Sequence, residues 1–360
     1  MLNKYAHRNK KRSRAQRRRM LYLRRALVLL AGAALMALLI VATVWVVRWI
    51  SSGTRPLWMR DKDDRKSYAT TSSTIHAQAG EKPQGIPAVD KDTVALGSKI
   101  QSEHAVLLDM TTGRVIASKN SNVQANPASI TKVMTLLVAV ENIDNLDAEY
   151  TVPWQVTTHV ALDATRAGLN SGDVFTLRDL LYGCILPSGA DAAVALAHYV
   201  VGDQAADVAE AEAIFAQMMN ERAKELGAKN TNFVNVSGLH HRDHKTTAMD
   251  MALIMAAAVE NDVCRQVLSA ANYSSPNTLR LPAAQLADGT WHSTLFTSWL
   301  GSDRQGIIAG KTGYTDQALH TLATYTEIGG HQYVFVSMRV NGSSKAVADA
   351  RAVYDAFCKP

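Results

Sequence analysis

The sequence predicts an α+β domain in which helices cover an antiparallel β-sheet. Three observations lead to this class: a hairpin pattern at residues 105–117, a mostly helical stretch from about 129 to 268, and consecutive strand patterns between 307 and 339. Strand patterns at both ends of a region with helices between them are typical of an antiparallel sheet packed beside a group of helices.

The strands are predicted from short apolar runs that end at turn residues. Ala105–Asp109 and Arg114–Ala117 flank Thr111-Thr112-Gly113, which indicates a hairpin. The C-terminal strands are Ile307–Gly310, Leu319–Ile328 and Tyr333–Arg339, with Gly329-Gly330 as the turn between the last two and a closing helix from about Ser344 to Phe357.

Positive charge is concentrated at the N-terminus. The chain has 360 residues and a formal net charge of +6, yet residues 1–25 contain 11 Lys or Arg and no acidic residue. The other residues therefore carry the total of +6 less 11, a net charge of −5. We interpret residues 1–25 as a basic cytoplasmic tail, and the acidic balance of the rest argues against nucleic-acid binding.

A membrane anchor is predicted next to this tail. Ala26–Val47 is a run of 22 residues without a charged side chain. As a helix it crosses the roughly 30 Å hydrocarbon core of a bilayer. A cleaved signal peptide would have a shorter apolar core and a small-residue cleavage site, whereas this run continues into Arg48-Trp49-Ile50. We therefore expect a single-pass anchor in the cell membrane at residues 26–47, with an extracytoplasmic C-terminal bulk.

Residues 48–95 have the composition of an extracytoplasmic linker. Asp61–Lys66 is a run of mixed charge, and Thr70–Thr74 is a polar stretch of low complexity. Neither buries enough apolar surface to offset the entropy lost on ordering. The folded domain is therefore expected at residues 96–360.

Ser129-Ile130-Thr131-Lys132 places a hydroxyl and an amine three residues apart. Residues at this spacing are neighbours on a helix surface, so the Lys132 amine can reach the Ser129 oxygen. Serine becomes a useful nucleophile when an adjacent base takes its proton, and lysine is such a base when burial or nearby cations lower its pKa. The pair alone is weak support, because this spacing occurs by chance about once in a chain of this length.

The residues around this pair predict the start of a helix. Asn126 is a good N-cap, and Pro127 suits the first helical position, which places Ser129 in the first turn. Residues 133–140 are apolar almost all round, which indicates a buried helix.

Two further motifs follow in order and make chance improbable. Ser188-Gly189 comes next, and Lys311-Thr312-Gly313 lies near the C-terminus. Ser-x-x-Lys, Ser-Gly-x and Lys-Thr-Gly in this order resemble the signature set of penicillin-binding proteins and serine β-lactamases. Residues 176–183, 224–233 and 238–239 are similar to the low-molecular-mass D-alanyl-D-alanine carboxypeptidases. The resemblance implies a β-lactamase/transpeptidase-like fold and makes residues 96–360 a serine-type D,D-peptidase domain.

The resemblance also implies roles for individual residues. Ser129 would be the acylated nucleophile, Lys132 its base, and Ser188 a proton relay toward the leaving amine. Lys311 would attract the substrate carboxylate and keep Lys132 neutral by its charge. Thr312 would add a hydrogen bond, and Gly313 would let substrate approach the strand. The backbone N–H groups of Ser129 and Tyr314 would form the oxyanion hole.

One position departs from the family pattern. The third residue of the second motif is usually Asn and is Ala190 here, beside Asp191. Either water or another side chain fills the place of the amide in an active enzyme, or the chain binds stem peptides with little turnover. We favour activity, because the nucleophile, the base and Lys-Thr-Gly are intact.

The expected partners follow from the resemblance: peptidoglycan stem peptides that end in D-Ala-D-Ala, β-lactam antibiotics as covalent inhibitors, and a membrane bound through the N-terminal helix. Two alternatives stay open, a serine β-lactamase and a non-catalytic peptidoglycan-binding protein.

No cofactor or metal is expected. His240-His241-Arg242-Asp243-His244 lies in a predicted loop before the Thr247–Asp250 capping box, without a full ligand set. Cys184, Cys264 and Cys358 permit at most one intramolecular disulfide, which is too few for a disulfide scaffold, and we expect structural cysteines.

Overall fold

A six-stranded β-sheet organises the domain. The computed structural model describes residues 87–275, 289–304 and 306–359. The strands are β1 (Val94–Ala95), β2 (His104–Asp109), β3 (Arg114–Lys119), β4 (Glu149–Thr151), β5 (Val174–Thr176), β6 (Asn272–Tyr273), β7 (Trp291–His292), β8 (Ile307–Thr315), β9 (Leu319–Ile328) and β10 (His331–Val340). The main sheet has the order β1-β3-β2-β10-β9-β8, and β4–β5 and β6–β7 form two small ladders.

Helices occupy the middle of the chain and its C-terminal end. They are α1 (Lys132–Asn142), α2 (Trp154–His159), α3 (Leu177–Ile185), α4 (Ala190–Val201), α5 (Val208–Glu225), α6 (Ala248–Glu260), α7 (Asp262–Ser269) and α8 (Ser343–Phe357). This confirms the predicted helical middle and the closing helix. Short 3₁₀ turns lie at Ala128–Thr131 and Gly202–Gln204.

The expected antiparallel sheet is confirmed for five strands and wrong at one edge. The hairpin β2–β3 and the meander β8–β9–β10 pair antiparallel, and β10 joins the two halves by pairing with β2. The edge strand β1 is parallel to β3, which makes the sheet mixed. Two-residue β1 lies at the end of the segment interpreted as a linker, where no hydrophobic pattern marks a strand.

The two faces of the sheet bury different side chains. On β2, Val106 and Leu108 belong to the larger core cluster, while Ala105 and Leu107 belong to the smaller one. Successive strand residues point to opposite faces, so one strand serves both cores. The smaller core includes Val353 and other residues of α8. The larger core includes the helical lobe built around α1, which is buried almost all round as predicted.

The predicted capping box before α6 is half formed. The Thr247 hydroxyl accepts a hydrogen bond from the Asp250 N–H at 3.0 Å. The Asp250 carboxylate accepts instead from the Asn230 N–H and the Thr231 hydroxyl, both at 2.7 Å. The Asp250 carboxylate therefore does not bond back to the Thr247 N–H group, as a full capping box would require, and instead binds residues 230 and 231.

The predicted tail, the anchor at residues 26–47 and most of the linker lie outside the described residues. Within the part of the chain that the structure describes, no helix has both the length and the apolar character needed to span a bilayer.

The closing helix is tied to the start of the domain by a buried carboxylate. Asp349 on α8 accepts hydrogen bonds from the backbone N–H groups of Gln101 at 2.9 Å and Ser102 at 2.7 Å, and from the Ser102 hydroxyl. Loss of a shared buried acceptor leaves several donors unpaired, which is costly.

We predict that Asp349→Ala lowers the free energy of unfolding by about 2–3 kcal/mol, because two backbone N–H groups and the buried Ser102 hydroxyl lose their acceptor. The measurement is urea unfolding followed by intrinsic fluorescence. Asp355→Ala is the matched control, since Asp355 is exposed on the same helix, and a change within about 0.5 kcal/mol is expected there. Equal effects of both substitutions would contradict the prediction.

Candidate active site

The predicted nucleophile lies in a 3₁₀ turn rather than inside the helix. We call residues Ala128–Thr131 the nucleophile turn; α1 begins directly after it at Lys132. The prediction that Asn126 caps this helix is wrong. Its side-chain amide donates instead to the carbonyl oxygens of His241 at 3.2 Å and His244 at 3.0 Å. Asn126 thus binds a segment distant in sequence instead of the N–H groups at the start of the helix.

The turn brings Ser129 and Lys132 together as the spacing predicts. Lys132 Nζ lies 3.0 Å from Ser129 Oγ and donates to the Ser237 carbonyl oxygen at 2.6 Å. Ser129 is half-buried, whereas Lys132 is only 2% exposed. A neutral lysine amine has two donors and one lone pair, so it can bind the Ser237 oxygen and still accept the Ser129 proton.

Burial makes Lys132 a usable base. Desolvation lowers the pKa of Lys132 to about 8, against a smaller raising effect from Cys184 and Asp191. Burial, rather than the expected charge of Lys311, is therefore the main cause of the shift. A pKa near 8 leaves a useful neutral fraction close to neutral pH, which a normal lysine lacks.

A second serine–lysine pair completes the cleft. Lys311 Nζ donates to Ser188 Oγ at 3.0 Å and to the Thr312 carbonyl oxygen at 2.8 Å. Lys311 is 2% exposed and Ser188 is buried. Burial, and next the charge of Lys132, hold the pKa of Lys311 well below its usual value. The charge of Lys132 thus disfavours the charged form of Lys311. Each amine binds one hydroxyl and one carbonyl oxygen, which reduces the free-energy cost of its burial.

The strand β8 lies directly against the nucleophile turn. A Cβ atom on Gly313 would lie 2.4 Å from Thr321 Oγ1 and 2.8 Å from the Ser129 nitrogen, so only glycine fits. The approach of the nucleophile turn is thus a reason for glycine that the sequence did not reveal, and the approach of substrate to Gly313 stays a prediction. Thr321 on β9 donates to the Pro127 carbonyl oxygen at 2.8 Å and holds the turn at the sheet.

The other predicted substrate-binding residues follow along β8. Thr312 is buried, and Tyr314 is 53% exposed. The Tyr314 hydroxyl donates to Asp316 at 2.9 Å, and its ring lies 4.7 Å from that of His320. The structure thus pairs Ser129 with Lys132 and Ser188 with Lys311. Thr312, Gly313 and Tyr314 follow Lys311 on β8, the strand that lies against the nucleophile turn.

Backbone strain is present on both sides of the cleft. Ala128 has φ +50° and Ser188 has φ +63°, in the left-handed region that costs non-glycine residues energy. Each residue is next to or part of a predicted catalytic motif. A strained backbone of this kind persists only where the contacts around it are strong enough to hold that conformation.

Asp191 does not take the place of the missing amide. Its buried carboxylate accepts from the N–H groups of Ala167 at 2.7 Å, Gly168 at 2.9 Å and Leu169 at 3.0 Å. Trp291 Nε1 donates to the Ala167 carbonyl oxygen at 2.8 Å. Asp191 therefore fastens a loop behind the second motif, a role that sequence adjacency to Ala190 did not reveal.

The histidine-rich segment lies in a loop as predicted. His240 and His241 are exposed, whereas His244 is buried with both ring nitrogens bonded to protein groups. Within the described ranges, no three His, Cys, Asp or Glu side chains converge as a metal site would require. The three cysteines are buried free thiols, and burial raises the pKa of Cys184 to about 11 although Lys132 and Lys311 oppose the shift.

The fold and the site together indicate the class of this protein. A mixed sheet beside a helical lobe, with two serine–lysine pairs, is typical of active-site serine enzymes with a β-lactamase/transpeptidase-like fold. A family model described as D-alanyl-D-alanine carboxypeptidase matches residues 90–342. The chain belongs to the D-alanyl-D-alanine carboxypeptidase family, which confirms the resemblance stated from the motifs.

Curated relatives and solved structures agree with this assignment. The carboxypeptidase DacF of Bacillus subtilis is 30% identical over 238 residues, which cover 66% of this chain and 57% of that protein. The carboxypeptidase DacB2 of Mycobacterium tuberculosis is 34% identical over 237 residues, covering 65% and 73%. The crystal structure of the Streptomyces K15 DD-transpeptidase superposes with a TM-score of 0.64 and 28% identity, covering 74% of this chain and 98% of that one.

The lowered pKa of Lys132 predicts a pH dependence for acylation of Ser129. With the neutral amine as the predicted base, the rate of acylation by penicillin should rise about tenfold per pH unit below pH 8 and level off above it. Stopped-flow acylation between pH 6 and 9.5 measures this profile. Lys132→Arg should abolish acylation at every pH, because arginine stays protonated. A flat profile with folded protein throughout would contradict the assignment of Lys132 as the base.

Proposed function

We propose that the chain is a serine-type D-Ala-D-Ala carboxypeptidase that removes the terminal D-alanine from peptidoglycan stem peptides through an acyl-enzyme on Ser129. The observation that carries the proposal is the two serine–lysine contacts, Ser129–Lys132 and Ser188–Lys311, each 3.0 Å long and each made by a buried lysine. One pair supplies a nucleophile with its base, and the other supplies a proton path and a cation for the substrate carboxylate.

Acylation is the first half of the reaction. Neutral Lys132 takes the Ser129 proton as the hydroxyl oxygen attacks the carbonyl carbon between the two D-alanines. Negative charge then develops on the carbonyl oxygen, and the N–H groups of Ser129 and Tyr314 are the proposed donors to it. The close contact of Gly313 with the Ser129 nitrogen supports this pairing, because it brings the strand that carries Tyr314 beside the turn.

Release of D-alanine requires a proton on the leaving nitrogen. In the proposed step, the proton that Lys132 took from Ser129 passes through the Ser188 hydroxyl to that nitrogen, because a hydroxyl both accepts and donates. Ser188 Oγ is held for this role by its bond to Lys311, and Lys132 is neutral again afterwards. The bond between the carbonyl carbon and that nitrogen then breaks, and D-alanine leaves. In the second half, water attacks the ester carbonyl carbon while Lys132 accepts a proton from the water. The bond from that carbon to Ser129 Oγ then breaks, and Lys132 returns the proton to Ser129 Oγ.

Lys311 and Thr312 are the proposed anchors for the terminal carboxylate. Burial disfavours the charged form of Lys311 in the free cleft, and an arriving carboxylate reverses that preference by pairing with the ammonium. Binding energy is thereby coupled to a negative terminal group, which a stem peptide ending in D-Ala-D-Ala carries.

The decisive test is D-alanine release from a pentapeptide stem analogue by wild-type protein and by Ser129→Ala. We expect release by wild type and at least a thousandfold loss in the variant, in line with removal of a catalytic nucleophile. Equal release by both proteins would overturn the mechanism. Circular dichroism of the variant controls for folding.

Labelled penicillin separates the remaining alternatives. A long-lived adduct on Ser129 fits the carboxypeptidase, whereas rapid drug hydrolysis indicates a β-lactamase. Stem-peptide binding with neither acylation nor D-alanine release indicates the non-catalytic protein that Ala190 leaves open.

We further propose that residues 26–47 anchor the chain in the cell membrane with the catalytic domain outside it. The uncharged run of 22 residues follows a tail, residues 1–25, that contains 11 basic residues, and this pattern supports the location. Peptidoglycan, the proposed substrate, is on the same side of the membrane.

The anchor predicts that the full-length protein stays in the membrane fraction after carbonate extraction. Leu35→Arg with Leu38→Arg, near the centre of the run, should release it, because each charge adds about 2.5–3.5 kcal/mol to the insertion free energy. The conservative pair Leu35→Val with Leu38→Val is the matched control. Recovery of wild-type protein as a soluble, shortened species would instead identify a cleaved signal peptide.

A further inference from the structure

A buried histidine contacts the nucleophile turn from outside the motifs. His244 is 1% exposed, and its Nε2 lies 2.9 Å from the Oγ1 of Thr131, the residue before Lys132. Its Nδ1 accepts a hydrogen bond from the Val234 N–H at 3.1 Å. The ring therefore joins the turn to the segment of residues 232–246, to which both His244 and Val234 belong.

The bond to Val234 determines the tautomer of the ring. A backbone N–H can only donate, so Nδ1 is unprotonated and the proton of the neutral ring is on Nε2. Nε2–H then donates to Thr131 Oγ1. Burial lowers the pKa of His244 to about 3, with further lowering by the nearby His241, Lys132, His240 and Lys245. The ring is thus neutral, with one fixed donor, at any pH where the enzyme works.

Other contacts from the same segment hold the neighbouring residues of the turn. Lys132 donates to the Ser237 carbonyl oxygen, and the Thr135 hydroxyl donates to the Val236 carbonyl oxygen at 2.7 Å. A Cβ on Gly238 would lie 1.9 Å from the Ala128 carbonyl oxygen, so the two backbones touch. Thr131 is the member of the turn whose side chain is held by His244.

The turn needs such support because its backbone is strained. Ala128 has φ +50° immediately before Ser129, and this conformation costs about 1–3 kcal/mol unless its surroundings enforce it. Relaxation of the turn would move Ser129 Oγ relative to Lys132 Nζ. A displacement of about 1 Å in a reacting group can lower the rate by about a hundredfold.

We propose that His244 is a positioning residue for the nucleophile: its Nε2–H holds Thr131 and thereby keeps Ser129 and Lys132 in reacting geometry. The proposal takes from the proposed function only that Ser129 is acylated. The two ring nitrogens of His244 bond to Thr131 and Val234, so its effect on Ser129 is proposed to pass through Thr131.

His244 is in turn held from the opposite side. The Asn126 amide donates to the His244 carbonyl oxygen at 3.0 Å, and Lys245 Nζ donates to Asn126 Oδ1 at 2.9 Å. Ala125 and Thr246 pair through backbone hydrogen bonds. Backbone on both sides of the ring is therefore fixed, which a side chain that positions another group requires.

Two substitutions separate positioning from mere structural support. His244→Asn keeps an acceptor near Nδ1 for Val234 and removes the donor to Thr131. His244→Gln keeps a donor near Nε2 for Thr131 and removes the acceptor for Val234. If His244 only stabilises the segment, Asn is the better replacement; if it positions the nucleophile, Gln is.

The measurement is stopped-flow acylation by a fluorescent penicillin, which yields a binding constant and a first-order acylation constant separately. We expect His244→Asn to lower the acylation constant about tenfold or more with the binding constant within about twofold, and His244→Gln to retain most of the rate. The reverse order of the two variants would overturn the proposal, as would a loss confined to binding.

Thr131 offers the second arm. Thr131→Val should reproduce the loss of acylation rate, and Thr131→Ser should retain the rate. In the His244→Asn background, Thr131→Val should lower the rate little further, because both substitutions remove the same hydrogen bond. Fully additive losses would contradict the proposal. His198→Asn is the matched control, since His198 binds the Tyr150 hydroxyl in the helical lobe and should leave acylation unchanged.

This assay also distinguishes the two proposals. Acylation of wild-type protein without D-alanine release would refute carboxypeptidase activity, and the effect of the His244 substitutions on acylation could still be measured. Wild type that is not acylated by penicillin at all would overturn both.

Discussion

The burial of two lysine amines in one cleft is the constraint on which the rest of the site depends. Lys132 and Lys311 are each 2% exposed, and removing an ammonium group from water is costly without partners. Each amine here binds one serine hydroxyl and one backbone carbonyl oxygen. The partners lower this cost, and the remaining desolvation makes Lys132 a base near neutral pH.

That arrangement requires four separate chain segments to meet within a few ångströms. The nucleophile turn, the Ser188 motif, the strand β8 and the segment of residues 232–246 each supply a side chain or a carbonyl oxygen. Two of them carry strained backbone, at Ala128 and Ser188. Because sheet and helical lobe are rigidly packed around them, the fold can maintain conformations that an isolated turn would not.

The pattern-based predictions succeeded where the determinants are local. Strands predicted from apolar runs, the buried helix after residue 132, and the Ser129–Lys132 contact depend on spacings of two, three or four residues. Predictions failed or were incomplete where a distant group intervened. Asn126 binds the carbonyl oxygens of His241 and His244 instead of capping a helix, and Gly313 is required by the approach of the Ser129 nitrogen. Neither contact leaves a local sequence signal.

The sequence by itself determined the family, the order of the three motifs and the pairing of Ser129 with Lys132, because a spacing of three residues brings side chains together within one turn. Only the tertiary structure decided that Ser188 pairs with Lys311, that Asp191 fastens a loop, and that His244 reaches Thr131. Those contacts join residues separated by 22 to 123 positions, and packing of the whole domain, rather than local geometry, sets their distances.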